Sequence, residues 1–191
     1  METIKDGKGR GYLAGVNKDN QLVTRSTSVV QHTKSAVDGN YYEIYSGLVT
    51  LTDAVETGII YFQNGMSNDI IVDKVFLDVW ASTNGVGGGK IKYYKNPTYT
   101  GGSTITPVNT NFARNDSLLG TYLKSLTTLT GGTTWWIGYF SASSANVIEE
   151  EKICIPPGYT FGITITAPTS NTSMALNLNI AVYVLDINLL S

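Results

Sequence analysis

The segment 174–187, MALNLNIAVYVLDI, decides the fold class of this chain. Apolar residues recur there at every second position, separated by asparagine, alanine and tyrosine. Alternation with a period of two indicates a β-strand that buries one face in a core. The face predicted to be buried consists of Leu176, Leu178, Ile180, Val182 and Val184, and the opposite face of Asn177, Asn179, Ala181 and Tyr183.

Shorter segments of the same kind precede this strand, and glycine, asparagine, proline and serine separate them. Helical periodicity is almost absent. We therefore expect about eight strands, the number typical of a jelly roll. Strands are predicted at 42–52, 58–63, 70–82, 90–95, 134–140, 147–155, 159–166 and 174–187, and a strand or a short helical turn at 118–126. The predicted fold class is all-β, a single jelly-roll-like β-sandwich with an extended N-terminal arm. An immunoglobulin-like sandwich is the alternative, although the Cys…Trp…Cys spacing of that fold is missing.

The first 35 residues differ in composition from the remainder. They read METIKDGKGRGYLAGVNKDNQLVTRSTSVVQHTKS, which is polar, glycine-rich and basic. A segment with so few apolar residues does not bury enough surface to order itself. We assign residues 1–40 to an arm that contains a small hairpin, turning at Asp19-Asn20, and residues 41–191 to the sandwich. The residues expected to anchor the arm to another chain are Lys8, Arg10, Val16, Leu22, Val23 and Arg25.

Charge is sparse and unevenly distributed. Charged residues make up 15% of the 191 residues, against about 25% in average proteins. The first 35 residues hold six basic and three acidic side chains, a net charge of +3, so the net charge of −2 leaves −5 for the rest. A basic arm beside an acidic body suggests that the arm lies against an acidic protein surface. The overall charge gives no reason to expect nucleic acid as a partner.

The sequence offers few residues for catalysis or metal binding. His32 is the only histidine and Cys154 the only cysteine, so one chain lacks the ligands of a usual zinc site. We interpret His32 as a surface or interface residue and Cys154, flanked by two isoleucines, as a small buried hydrophobe. The run Glu149–Glu151 is interpreted as a solvated acidic patch. No cofactor is expected, and no membrane partner, since no segment approaches the ~20 apolar residues of a spanning helix.

Adjacent aromatic residues suggest a binding surface. Trp135 and Trp136 are neighbours in a predicted strand, as are Tyr93 and Tyr94, so one ring of each pair should face the core and the other the solvent. These four are the candidate surface aromatics. An outward ring can stack on a sugar, anchor an interface or pack beneath a loop.

The N-terminal sequence resembles that of tailed-bacteriophage virion proteins. The stretch 6–17, DGKGRGYLAGVN, and the stretch 20–25, NQLVTR, are similar to segments that precede a β-sandwich in such proteins. The body, rich in Asn, Thr and Gly, looks like a small head-decoration or auxiliary capsid protein. The resemblance implies a structural role in the virion and carries no catalytic residues.

We therefore expect a non-enzymatic virion protein that is made in the cytoplasm of the bacterial host. Its expected role is to cement neighbouring subunits of the head or to display another protein on it. Its expected partners are the major capsid protein or other virion proteins. A homo-oligomer is expected, with a trimer favoured by analogy with other jelly-roll capsid proteins. The alternatives are a neck or tail adaptor, or a receptor- or glycan-binding module of the tail that uses Trp135 or Trp136 and the loops at 84–90 and 96–117.

Overall fold

The computed structural model describes residues 4–5, 13–16, 22–23, 31–51, 54–80, 88–141, 146–149, 153–168 and 174–185. The chain divides into two compact units, residues 1–30 and residues 31–191. The first unit contains an antiparallel sheet of β1 (Ile4–Lys5), β2 (Leu13–Val16) and β3 (Leu22–Val23), in that order. β2 and β3 are the segments that the sequence analysis paired in a hairpin.

The second unit begins with helix α1 (Gln31–Asp38). The sequence places these residues in the arm, whereas the two compact units divide between residues 30 and 31. At the end of the helix, Asn40 N–H donates to Ser35 O at 2.7 Å. Val184 N–H donates to Asn40 O at 2.9 Å, which joins this end to the sandwich. Ser35 is buried, so the helix is part of the folded body.

The strands of the second unit form two packed sheets and a two-stranded ribbon. Their bounds are β4 (Tyr41–Leu51), β5 (Glu56–Asn64), β6 (Ile70–Trp80), β7 (Gly88–Lys95), β8 (Thr98–Thr100), β9 (Ser103–Thr104), β10 (Val108–Asn109), β11 (Gly120–Leu126), β12 (Thr128–Thr130), β13 (Thr133–Ser141), β14 (Asn146–Glu149), β15 (Ile153–Ile155), β16 (Thr160–Thr166) and β17 (Met174–Val184).

The strand order is that of a jelly roll, as the sequence predicts. The first sheet, here called the β4 sheet, runs β10-β4-β17-β6-β14, with β15 also paired to β6. The second, the β5 sheet, runs β13-β7-β16-β5-β11-β9. The chain passes from β4 to β5, back to β6 and across again to β7. After β13 it returns through β14 and β15, crosses to β16 and ends in β17 between β4 and β6. All pairings between these strands are antiparallel.

The core lies between the inner faces of these sheets. The five β17 residues predicted to face inward are all buried, which confirms the alternation read from the sequence. On the opposite face of β17, Tyr183 is also largely covered, and its ring stacks on Tyr41 with centroids 6.5 Å apart. Burial of this strand therefore extends to both faces near its C-terminal end.

The segment between β7 and β13 adds a second layer. β8 and β12 pair as a two-stranded ribbon, and β11 extends the β5 sheet beside β5. Leu129 of the ribbon lies against Gly58 and Gly162, and the ring of Tyr99 lies 4.4 Å from that of Tyr61. The ribbon thus covers part of the outer face of the β5 sheet.

Candidate functional site

A cleft of about 310 Å³ opens where the two sheets part, beside β13 and β15. It is lined by Lys95, Asn96, Trp135, Ile153, Cys154, Ile155, Pro156, Tyr159, Thr160 and Phe161. Clefts of this size are within the range of small-ligand sites.

A β-bulge places Trp135 at this cleft. The pairing of β13 with β7 shifts between Thr134 and Trp136, so Trp135 is the additional residue of the bulge. Bulges re-aim a side chain relative to the regular pleat. The Trp135 side chain is 43% exposed, and its ring centroid lies 6.0 Å from that of Tyr93. Trp136 stacks on the same tyrosine at 4.5 Å and packs against the core.

Of the four candidate surface aromatics, Tyr93 is not at the surface. It is fully buried, because it continues the inward-facing series of β7 and lies opposite Ile163 and Trp136. Tyr94, its neighbour, faces the outer side of the sheet, as alternation requires. Trp135 is the exposed ring of its pair and Trp136 the largely covered one.

The polar side chains of the cleft lie at the end of β7 and the start of β16. Asn96 has a φ of 54°, a left-handed conformation that asparagine adopts more readily than most residues. Its backbone N–H donates to Thr160 O at 3.0 Å, and the Thr160 hydroxyl donates to Pro97 O at 3.1 Å. Among the described residues, neither the Lys95 ammonium nor the Asn96 side-chain amide nitrogen has a hydrogen-bonding partner.

Cys154 is exposed, which corrects the prediction that it is buried. Ile153 and Ile155 turn toward the core on either side of it, so alternation directs the thiol outward. The thiol donates to Asp69 Oδ2 at 3.3 Å. Partial burial, together with the hydrogen bond and charge of Asp69, raises the pKa of the Cys154 thiol.

A hydrogen-bonded group of four side chains, here called the Glu56 network, crosses the outer face of the β5 sheet. Glu56 Oε1 accepts from Tyr94 OH and Thr164 Oγ1, both at 2.7 Å, and Glu56 Oε2 accepts from Lys92 Nζ at 2.5 Å. Burial alone raises the pKa of Glu56, but the bonds from Lys92, Thr164 and Tyr94 outweigh it and lower this pKa to about 2. The network joins β5, β7 and β16.

Exposed apolar side chains form a patch on the outer face of the β4 sheet. This outer patch consists of Tyr45, Leu48, Phe76 and Val108. Tyr45 and Phe76 lie opposite the same residue, Asn179, on the two sides of β17. Leu48 is 67% exposed.

Two buried acceptors accompany the outer patch. Glu43, opposite Val108, has a buried Oε2, and Asn179 has a buried Oδ1. The hydroxyl of Tyr45 interacts with the side chains of both residues, but neither Glu43 Oε2 nor Asn179 Oδ1 meets a donor in hydrogen-bond geometry among the described residues. A strand pattern alone does not reveal these two acceptors, because both residues are polar and occupy the outward face.

The residues expected to form the assembly arm are only partly placed. Val16 lies in β2 and Leu22 and Val23 in β3, whereas Lys8, Arg10 and Arg25 lie outside the described residues. His32 lies in α1. Glu149 ends β14, and residues 150–151 lie outside the described part of the chain, as do residues 84–87 of the first loop assigned to glycan binding.

Among the described residues, no group of three or more His, Cys, Asp or Glu side chains lies close enough to hold a metal ion. No helix in the same residues has the length and apolarity needed to cross a membrane. Comparison of the chain with protein-family models, with curated proteins and with solved structures finds no match.

Proposed function

We propose that this chain is a non-enzymatic structural protein of a tailed-phage virion, of the head auxiliary or decoration type. The observation that carries the proposal is the outer patch. Its four exposed side chains lie on the outer face of β10, β4 and β6, with Tyr45 and Phe76 on the two sides of Asn179. Exposed apolar groups that cluster in this way mark protein–protein contact surfaces.

The two unpartnered acceptors beside the patch support the same conclusion. A buried oxygen without a donor costs free energy, of about 1–3 kcal/mol in proteins. Glu43 Oε2 and Asn179 Oδ1 are both in this position among the described residues. A partner that brings N–H donors to this face would satisfy both oxygens and cover the apolar side chains at once.

The N-terminal unit gives the proposal a second attachment element. Residues 1–30 form a compact unit of their own, and the motif at 6–17 resembles those of virion proteins. Two linked attachment sites bind far more tightly than either one alone, because the second contact becomes intramolecular. A sandwich with an additional arm is therefore suited to cementing neighbouring subunits.

The test is to quantify the protein in purified virions of the phage that encodes it, by mass spectrometry against an isotope-labelled standard. We expect hundreds of copies per particle, the number required of a head protein. A dozen copies or fewer would assign the chain to the neck or tail and favour the adaptor alternative. Its absence from virions would contradict the proposal.

A matched pair of variants tests the outer patch. We expect the double variant Leu48→Ser, Phe76→Ser to fold and to lose incorporation into particles. The control is Tyr139→Ser, which removes a more exposed aromatic ring from β13 on the other sheet. Equal incorporation of both variants would exclude the outer patch as the attachment surface.

We further propose a homo-oligomer in the assembly, with a trimer favoured. The low charge and the apolar patch support self-association, whereas the number three rests on analogy with other jelly-roll capsid proteins. A cryo-electron microscopy map of the virion provides the test. Isolated copies, each touching only other proteins, would contradict it.

The cleft at Trp135 favours a second candidate function, that of a receptor- or glycan-binding module. A half-exposed tryptophan in a cleft with polar groups at its rim is a common arrangement for small-ligand recognition. Attachment through the outer patch on the β4 sheet and recognition through this cleft use different residues, so one chain could perform both functions.

A further inference from the structure

We infer that the cleft beside Trp135 binds an acidic sugar residue, through stacking on the tryptophan and contact of the sugar carboxylate with Lys95. This inference rests on the second function proposed above, glycan binding, and adds the class of sugar. It depends on the shape of the cleft and on the kinds of polar group at its rim.

The apolar part of the cleft provides a platform for a ring. The bulge at Trp135 leaves its indole tilted against Tyr93 and 43% exposed, while Ile153, Ile155 and Phe161 form the apolar lining. A side chain held by a bulge and by an aromatic neighbour loses little freedom when a ligand stacks on it. A pyranose has an apolar face of C–H groups that suits such a surface.

The polar part of the cleft consists mainly of donors. Lys95 occupies the last inward-facing position of β7, where the two sheets part, and its ammonium has no partner among the described residues. The Asn96 side-chain amide nitrogen is likewise without a partner in that set. Trp135 lines the cleft, and its indole carries a third N–H. No carboxylate lines the cleft among the residues that the structure describes. Asp69 accepts a hydrogen bond from the lining residue Cys154 but is not itself in the lining. Within the described part of the chain, a lysine with amide and indole donors and no acid in the lining favours an anionic ligand.

These two parts together favour a sugar acid over an acidic peptide. The side chain of Asp or Glu brings a carboxylate but only a short apolar stem, which leaves the Trp135 ring uncovered. A hexuronate brings a flat apolar face, a carboxylate for Lys95 and hydroxyl acceptors for Asn96. A neutral hexose would cover the ring but leave the charge of Lys95 without a partner.

The experiment measures binding of the full chain to three probes by isothermal titration calorimetry. The probes are a glucuronate-containing oligosaccharide, a neutral glucose oligosaccharide of equal length, and a glutamate peptide of equal charge. We expect the glucuronate probe to bind most tightly. Lys95→Gln should weaken that binding by about tenfold, the effect of losing one charge-assisted hydrogen bond, and Trp135→Ala should abolish it.

Matched controls separate the cleft from general charge and fold effects. Lys90→Gln removes a lysine from the same strand outside the cleft, and Tyr139→Ala removes an exposed ring from β13; neither should change binding. Circular dichroism and thermal unfolding check that each variant folds, and Trp135→Phe replaces Trp135→Ala if the latter does not.

Each remaining outcome has a distinct meaning. The neutral and acidic oligosaccharides could bind equally well, with no effect of Lys95→Gln. That result would overturn the assignment to acidic sugars and leave the glycan-binding function standing. If the peptide binds as tightly as the glucuronate probe, the cleft recognises charge alone. That result would overturn both the assignment to acidic sugars and the glycan-binding function. If no probe binds, the acidic-sugar assignment and the glycan-binding function are likewise overturned. The proposed structural role in the virion does not depend on this result.

Discussion

The side chain of Leu129 lies directly on the backbone of Gly162, so closely that a Cβ atom at Gly162 would stand 2.7 Å from Leu129 Cδ2. That Cβ atom would also stand 3.0 Å from Pro97 Cγ. Gly162 is in β16 and Leu129 in β12, so this contact fixes the ribbon of β8 and β12 on the outer face of the β5 sheet. Glycine is required here for the close approach.

We predict that Gly162→Ala destabilises the protein by about 1–3 kcal/mol, the usual cost of overpacking a tight contact. Urea unfolding followed by circular dichroism measures the change. The control is the double variant Gly162→Ala, Leu129→Ala, in which the added methyl group no longer meets a leucine. The cost of Gly162→Ala should be smaller in the Leu129→Ala background. Strict additivity of the two changes would mean that this contact does not anchor the ribbon.

The two faces of β17 should differ sharply in their sensitivity to truncation. Ile180 is fully buried between the sheets, so Ile180→Ala should lower the free energy of unfolding by about 2–5 kcal/mol. Asn179→Ala, one position away on the outer face, should lower it far less, because this change removes a buried oxygen that has no donor among the described residues. Thermal unfolding compares the two variants. Similar shifts in melting temperature would contradict the assignment of the core face.

Much of this architecture could be predicted from the sequence because sheet residues alternate between faces. The period of two in β17 and β6 is clear, since one face of each strand lies in the core and the other is more polar. The same rule applies to Cys154: isoleucines on both sides of it predict an outward thiol, and this alternation overrides the inference of burial from apolar neighbours. Exposure of the thiol follows from alternation alone.

Other features left little signal in the sequence. Helix α1 is eight residues long, with Ala36 and Val37 as its apolar side chains, too few to show a helical period. The ribbon strands β8 and β12 are three residues each and rich in threonine. The cleft depends on a bulge at Trp135, a break in strand register that the residue types do not announce. Tertiary contacts define all three.

The Glu56 network should make stability depend on pH in the acidic range. The pKa of Glu56 is lowered from 4.5 to about 2 in the folded chain, so between these values the unfolded chain binds more protons. Stability from this group is therefore complete above about pH 5 and is lost as the pH falls toward 2. Urea unfolding at about pH 6 and about pH 3 measures the loss.

Glu56→Gln should reduce that loss, because the variant has no carboxylate to protonate. Asp116→Asn is the control, since the side chain of Asp116 is 59% exposed and its ion pair with Arg114 is long, at 3.8 Å. We expect the Asp116 variant to retain the pH dependence of the unmodified chain. An unchanged pH dependence in Glu56→Gln would show that other carboxylates are responsible.

Binding in the cleft should not lead to cleavage of a polysaccharide. Glycoside hydrolysis usually needs two carboxyl groups on either side of the bond, about 5–5.5 Å or about 6.5–9.5 Å apart. The described residues lining the cleft include no Asp or Glu. Asp69 accepts a hydrogen bond from the lining residue Cys154 but is not part of the lining. We therefore predict that the purified protein releases no reducing ends from host surface polysaccharide, even under conditions in which it binds. The enzymatic interpretation would replace the structural one if cleavage occurred and a single Asp or Glu substitution in residues 41–191 abolished it without unfolding the chain.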